Sequence, residues 1–421
     1  MKAVFTILFA AVLGVFTAIG QHDDHNHDDH SNDDGHGHSH EGGCDVGHHD
    51  ETTYNPGAVA FHHISDQNLL TTGWAGFPLP YILYSQDGWK VGMSSEFEVH
   101  DWHHGDGDKA LDGYVMHEGV IMRVRANDFP RGTVSVNGFT HDQITNDEGK
   151  EVTEYYVCFD DQLYPLDQES AMDGGLFNRG ITSFYDFSIT KNVFWMIVIA
   201  VLLGWMFISI ARSYKKREGM APKGIQSFIE PIYIFIRDDV AKAMIGEHKY
   251  EKFVPFIMSL FFFILALNLL GQVPFLGNPN VTGSLAFTMV LAVFTFLVVN
   301  LNGNSHYWQH IFWMPGIPAL VKVVMTPVEI LGLFLKPITL MVRLFANITA
   351  GHIVLLSFVG LTFIFGNMGQ SFGGGILGGV VGTLLGVFMS AIELLVAFLQ
   401  AFIFAILSAS YIGAAVEDGH H

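Results

Sequence analysis

The chain has 421 residues, half of them hydrophobic, with 36 Phe and a formal net charge of −20. Such a composition is that of a membrane bundle rather than an ordinary soluble domain. The acidic balance excludes nucleic acid as a partner, since that would need a basic surface. The charge is unevenly spread: acids and histidines gather before about Asn192, apolar residues after it.

Residues 1–21 read as a signal peptide, with Lys2 as the positive start, an apolar core over 3–16, and Ala18-Ile19-Gly20 as the small residues before a cut. An uncleaved anchor is the alternative, although the apolar run is short for a span. Residues 22–50 are nearly all His, Asp, Gly, Asn and Ser. They hold too little apolar surface to fold, so this stretch is expected to be disordered. It contains nine histidines, and His25, His27, His36, His38 and His40 could bind Zn²⁺ or Cu²⁺ weakly. The alternative is a solvated tether.

Residues 51–187 mix aromatics with short alternating stretches. Residues 113–124, 132–136 and 151–159 predict strands separated by Gly and Asp clusters. A small β-rich extracytoplasmic domain is expected here. His103, His104 and His117 are either ligands or surface residues. Cys44 and Cys158 are the only cysteines, and a disulfide between them is permitted but not required.

The first span is predicted over 193–211. Arg212, Lys215, Lys216 and Arg217 follow it and mark its cytoplasmic end, which puts the N-terminal domain outside the cell. Residues 224–243 predict an amphipathic interfacial helix. Spans are predicted over 253–270 and 285–299, and Trp308, Trp313 and Pro315 mark an interfacial link. Thr326-Pro327-Val328-Glu329 reads as a helix start with Thr as N-cap and Glu in the capping box. The helix runs to about 365. A glycine-rich turn over 366–375 leads to a last helix over 376–413. Helices of almost 40 residues extend ~55–60 Å, well beyond a ~30 Å hydrocarbon core, so both must tilt or kink. The fold class is therefore an all-α polytopic membrane bundle with two long tilted C-terminal helices. The domain order is 1–21, 22–50, 51–187, a transmembrane domain over 188–413, and a polar tail over 414–421.

Few ionisable groups lie in the apolar half. Arg343 has no acid within four positions. Such a charge costs at least ~2.5–3.5 kcal/mol in a membrane and is a functional candidate. Arginine also stays protonated there, so it attracts a carboxylate without taking its proton. Its structural alternative is a bond to backbone carbonyls or to Asn347. His352, nine residues on, points to the opposite face and titrates near neutral pH. Glu393 is the only acid in the last helix, and His352 is its expected partner. Gln400 is seven residues further on the same face. Glu329 lines a second path or only caps its helix. Asn268 is a polar residue at a span end.

The stretch from Lys336-Pro337-Ile338 through Arg343-Leu344-Phe345-Ala346-Asn347 to Ala350-Gly351 resembles the signature of subunit a of F-type ATP synthases. Leu399-Gln400-Ala401-Phe402 is similar to that family's second signature, and Asn268-Leu269-Leu270-Gly271 with Pro274 to its span-ending turn. The resemblance covers roughly 187–413. It implies that Arg343 faces the acidic c-ring, and that His352 and Glu393 lie in the half-channel from the outside. His352 and Glu393 exchange the acid and base of many bacterial members, as in mitochondrial ones. It further implies a peripheral-stalk b subunit, a bacterial inner-membrane location and a cytoplasmic C-terminus. No cofactor is expected, and no Gly-x-x-x-x-Gly-Lys-Ser/Thr loop is present, so the chain would be a non-catalytic channel subunit. The rivals are a metal transporter, suggested by the histidine tract, and a receptor whose outer domain does the work.

Overall fold

The computed structural model describes residues 44, 65–71, 75–100, 105–126, 128–145, 151–167, 184–273, 276–277, 279–313, 318–365 and 372–417. The signal peptide over 1–21, the histidine tract apart from Cys44, and His103 and His104 lie outside the described residues. The chain forms two compact units that divide between Asn192 and Val193, with 276–277 grouping with the first.

The first unit is β-rich. Its largest sheet has seven strands in the order β8-β5-β6-β7-β11-β10-β9. These are Thr133–Ser135, Lys109–Leu111, Tyr114–His117, Val120–Val124, Gln162–Asp167, Glu151–Phe159 and Gly138–Thr145. Three two-residue turns fold the consecutive hairpins, at Asp112-Gly113, Glu118-Gly119 and Asp160-Asp161. All six turn residues have positive φ, the geometry that matches strand twist; Asp and Gly accept it readily, and Glu118 is the one other residue held there. Strand β6 is buried along its whole length, as expected for a strand covered on both faces. Tyr114 and Met116 enter one core with Tyr81, Leu83 and Phe97. Val115 enters the other with Val124, Val157 and Leu166.

A second sheet, ordered β12-β3-β4, pairs Phe184–Asp186 with Pro80–Ser85 and that with Gly88–Met93. A two-stranded pair joins β1, Leu69–Thr71, to β2, Gly76–Pro78. Cys44 and Cys158 form a disulfide with Cα atoms 6.0 Å apart, which resolves the choice the sequence left open. His117 is a correction to the surface alternative. It is buried, its Nδ1 lies 2.7 Å from Asp106 Oδ1, and it stacks on Phe139.

The second unit is helical. Its helices are α1 (Lys191–Lys216, which begins at the end of the first unit), α2 (Ile225–Phe235), α3 (Tyr250–Gly271), α4 (Leu285–Leu301), α5 (Ser305–Phe312), α6 (Ala319–Phe365) and α7 (Phe372–Val416). The expected amphipathic helix is α2 continued by a π-helical stretch, Ile236–Lys242, and a short α turn, Ala243–Ile245. The π stretch buries Ile236, Val240 and Ala241 while leaving Arg237 paired with Asp238. Among the described residues three helices are long and apolar enough to cross a membrane: α1, α3 and α7. A fourth crossing exists if α4 and α5, bent by 107°, count as one span. One core, centred on α3, holds Ile257, Phe261 and Ile264 against Leu340 and Leu344 of α6 and Phe404 and Ala405 of α7.

Two helix starts differ from expectation. Helix α6 begins at Ala319, seven residues before Thr326, so Thr326 is not an N-cap and Glu329 is not a capping-box residue. The Thr326 hydroxyl instead donates to the Phe312 carbonyl at 3.3 Å. Pro327 and Pro337 both lie inside the helix. An apolar surrounding gives the backbone no other partner, so a helix there runs through prolines that would end it in water. For the same reason α7 starts at Phe372 and takes in Gly373, Gly374 and Gly375, expected to belong to the turn. The two helices have 47 and 45 residues.

Candidate functional site

Helices α6 and α7 pack along much of their length, and the candidate residues lie on or beside that seam. Arg343 is half-buried on α6, between buried Leu340 and Leu344 and beside exposed Val342 and Ala346. Among the described residues its guanidinium has no ion pair or hydrogen bond. The alternative of a structural arginine tied to Asn347 is not what the geometry gives, and Asn347 is itself exposed. Arg343 lies within electrostatic reach of Tyr411 on α7.

Sequence reasoning missed that Arg343 ends a charged stripe. Lys322, Glu329, Lys336 and Arg343 recur every seven residues. Seven steps of 100° return to one face with a drift of ~20°, so the four charges line one side of α6 at ~10 Å intervals. The spacing was visible in the sequence. The partners were not. Lys336 Nζ sits 5.4 Å from the centre of the Tyr411 ring, and Lys322 Nζ 4.6 Å from that of Trp313. Glu329 is within electrostatic reach of Tyr307 on α5. A small cavity beside the stripe is lined by Thr295, Asn300, Tyr307, Lys336 and Tyr411, among others. The Tyr307 hydroxyl donates to Asn300 Oδ1 at 3.3 Å.

A second polar group gathers where α3, α6 and α7 meet. Glu393 is 9% exposed and Gln400 5% exposed, both on the inner face of α7. The Glu393 side chain lies over Gly351: a Cβ built there would come 2.6 Å from Oε1 and 3.2 Å from Cγ. The absence of a side chain at 351 is what lets the carboxylate into the seam. His352 turns the other way, with Nε2 3.6 Å from the Cβ position of Gly271 at the end of α3. The expected direct pairing of His352 with Glu393 is therefore corrected. The two flank the same backbone turn of α6, and no hydrogen bond or ion pair joins them among the described residues. Successive helix positions diverge by 100°, so adjacent Gly351 and His352 serve different neighbours.

Asn268 links this group. Its Nδ2 donates to the Ala397 carbonyl of α7 at 3.0 Å. Its Oδ1 is buried without a partner among the described residues. An interhelical amide of this kind holds two helices in register at a gain of ~0.6–2 kcal/mol. Among the described residues no three His, Cys, Asp or Glu side chains converge as a metal site would need.

The apolar helices and the ionisable groups among them define a multi-pass membrane protein with polar groups at its helix seams. Residues 193–413 match the family described as ATP synthase A chain, and residues 59–187 match a domain of unknown function. The chain belongs to the ATP synthase A chain family. It is 43% identical over 187 residues to ATP synthase subunit a of Chloroherpeton thalassium, covering 43% of this chain and 55% of that one. To ATP synthase subunit a 2 of Chlorobaculum tepidum it is 42% identical over 186 residues, covering 43% and 51%. To ATP synthase subunit a of Anaeromyxobacter dehalogenans it is 41% identical over 166 residues, covering 38% and 42%. The chain thus spans about half the length of the relatives it matches.

Proposed function

We propose that this chain is the proton-conducting stator subunit of a rotary F-type ATP synthase. The observation that carries the reading is Arg343, a permanent charge that is half-buried, flanked by apolar side chains and unpaired among the described residues. An unpaired cation in lipid is kept only if something pays its cost of at least ~2.5–3.5 kcal/mol. A passing carboxylate supplied by a c-ring does so.

Protons enter from outside through the seam of His352, Glu393, Gln400 and Asn268 and reach a ring carboxylate. The neutralised carboxyl group then travels through lipid. On the far side of Arg343 it loses its proton toward the face that bears Glu329, with Asn347 beside the transfer point. The guanidinium attracts the ionised carboxylate and has no proton to exchange, so the two paths do not short-circuit. A membrane potential supplies ~2.3 kcal/mol per charge per 100 mV, so several protons are needed per ATP. ATP chemistry belongs to partner chains, and a peripheral-stalk b subunit holds this one still. The β-rich unit is extracytoplasmic, the membrane is the bacterial inner membrane, and the C-terminus is cytoplasmic.

Arg343→Ala tests the reading in assembled complexes. Coupled ATP synthesis is expected to vanish while the variant still assembles; normal coupled synthesis would defeat the proposal.

A further inference from the structure

The sheet β12-β3-β4 turns one apolar face outward, exposed at Tyr84 and along β4 and half-buried at Pro80, Ile82, Tyr185, Phe187 and Ile189. Strand β4 alternates, and Trp89, Val91 and Met93 point outward; Trp89 is 64% exposed and Val91 67%. The register sets the rows across the sheet. Tyr185 pairs with Tyr84, and Tyr84 with Trp89. The Phe187 amide donates to Ile82, which pairs with Val91. The Ile189 amide donates to Pro80, which pairs with Met93. All nine residues are apolar or aromatic, and the Trp89 ring packs at a tilt against both Tyr84 and Phe187. An antiparallel sheet with one face in water would alternate apolar with polar. A continuous apolar face of this kind marks a surface that meets something other than water.

Two features identify what it meets. Ile189 precedes α1 by two residues, a reach of at most ~7 Å, and Tyr185 by six, at most ~20 Å. The composition is ordered along that direction. The row nearest the helix is Ile, Pro and Met. The middle row is Phe, Ile and Val. The far row is Tyr, Tyr and Trp, followed by the polar turn Gln86-Asp87. Aliphatic groups inside, Tyr and Trp at the boundary and charge beyond is the polarity order of a bilayer edge. A protein interface surrounds an apolar core with a polar rim on all sides, whereas here polarity rises along one direction. Resting on the reading of α1 as a membrane span, we propose that this sheet face docks on the lipid surface and anchors the β-rich unit against the bilayer.

The test places a spin label at Val91→Cys, Met93→Cys, Ile144→Cys or Val201→Cys in the full chain in phosphatidylcholine vesicles. The native cysteines are bonded to each other and do not react. Collisions with oxygen report lipid; collisions with a water-soluble nickel chelate report water. Oxygen is expected to dominate at 93 and 91, with 93 the deeper, while the chelate dominates at 144 on β9. A label at 91 as accessible to the chelate as that at 144 overturns the inference, and so does one shielded from both reagents, which means a protein partner. Position 201, exposed on α1, separates the two readings. Oxygen dominance at 201 with chelate dominance at 91 defeats only the docking surface; chelate dominance at 201 defeats the membrane span as well.

Discussion

At the scale of single residues, the site depends on who is missing as much as on who is present. Arg343 lacks an acid, and Gly351 lacks a side chain. Replacing Gly351 by Ala puts a Cβ 2.6 Å from the free end of the Glu393 side chain. A flexible carboxylate yields where backbone would not, so the fold should survive while the carboxylate is displaced. The expected outcome is normal assembly with proton flux reduced several-fold in reconstituted vesicles; unchanged flux would count against the seam as a proton path. In the β-rich unit, burial pushes the Asp66 carboxyl above its ordinary range, against the lowering effect of Thr190, the Asn192 amide and Lys191. Burial does the same to Asp186. A carboxyl raised in the folded state contributes stability that is full below its unfolded value of ~3.9 and is lost as pH rises through the folded value. Amide exchange across β12, corrected for its intrinsic pH dependence, should therefore show more opening at high pH than in mild acid. Asp66→Asn should flatten that dependence, and an unaltered slope would contradict this account. Gly351 entered the sequence reading only as part of a signature and Asp66 not at all, because each matters through a neighbour far along the chain.

Elements were legible where one physical rule governed them. Apolar runs gave α1, α3 and α4, whereas 113–124, expected as one strand, is the hairpin β6-β7 folded at Glu118-Gly119, a pair that carries no strong turn signal. The misplaced starts of α6 and α7 share one cause. Pro, Thr and Gly carry their familiar meanings in water, and in an apolar surrounding backbone hydrogen bonding outweighs them. The joins between elements were invisible in advance. Asn268 looked like a helix-end residue and is a clamp on α7. Asn268→Leu should lower stability in detergent by ~1 kcal/mol, read as an earlier thermal transition; an unmoved transition would show the clamp to be idle. The Cys44–Cys158 bond closes a loop across 114 residues. Cys158→Ser should destabilise the β-rich unit by ~2–5 kcal/mol, measured by denaturant unfolding followed by the aromatic signal of that unit. An unchanged midpoint would mean that the bond restrains little.

For the whole molecule, composition alone divided the chain into an acidic, histidine-rich part and an apolar one, and the main division between the two compact units falls where that composition changes. The order of the seven-stranded sheet could not be read, since β11 joining β7 and β8 joining β5 depend on contacts far apart in sequence. The functional residues split the same way. Arg343, Glu393 and Gln400 announce themselves as polar groups in apolar helices, whereas the use of each face depends on packing. Helices α6 and α7 leave long apolar stripes uncovered, including Val342 beside Arg343 and Leu384, Phe388 and Leu395 on α7. A rotor surface passing Arg343 would meet α6 at Val342 and Ala346. The most direct measurement is therefore site-directed cross-linking from position 346, one turn beyond Arg343, in membranes holding the assembled complex. The account predicts a covalent product with a small, acidic, two-helix ring protein, lost when that protein's carboxylate helix is removed. Products confined to lipid or to this chain itself would contradict it.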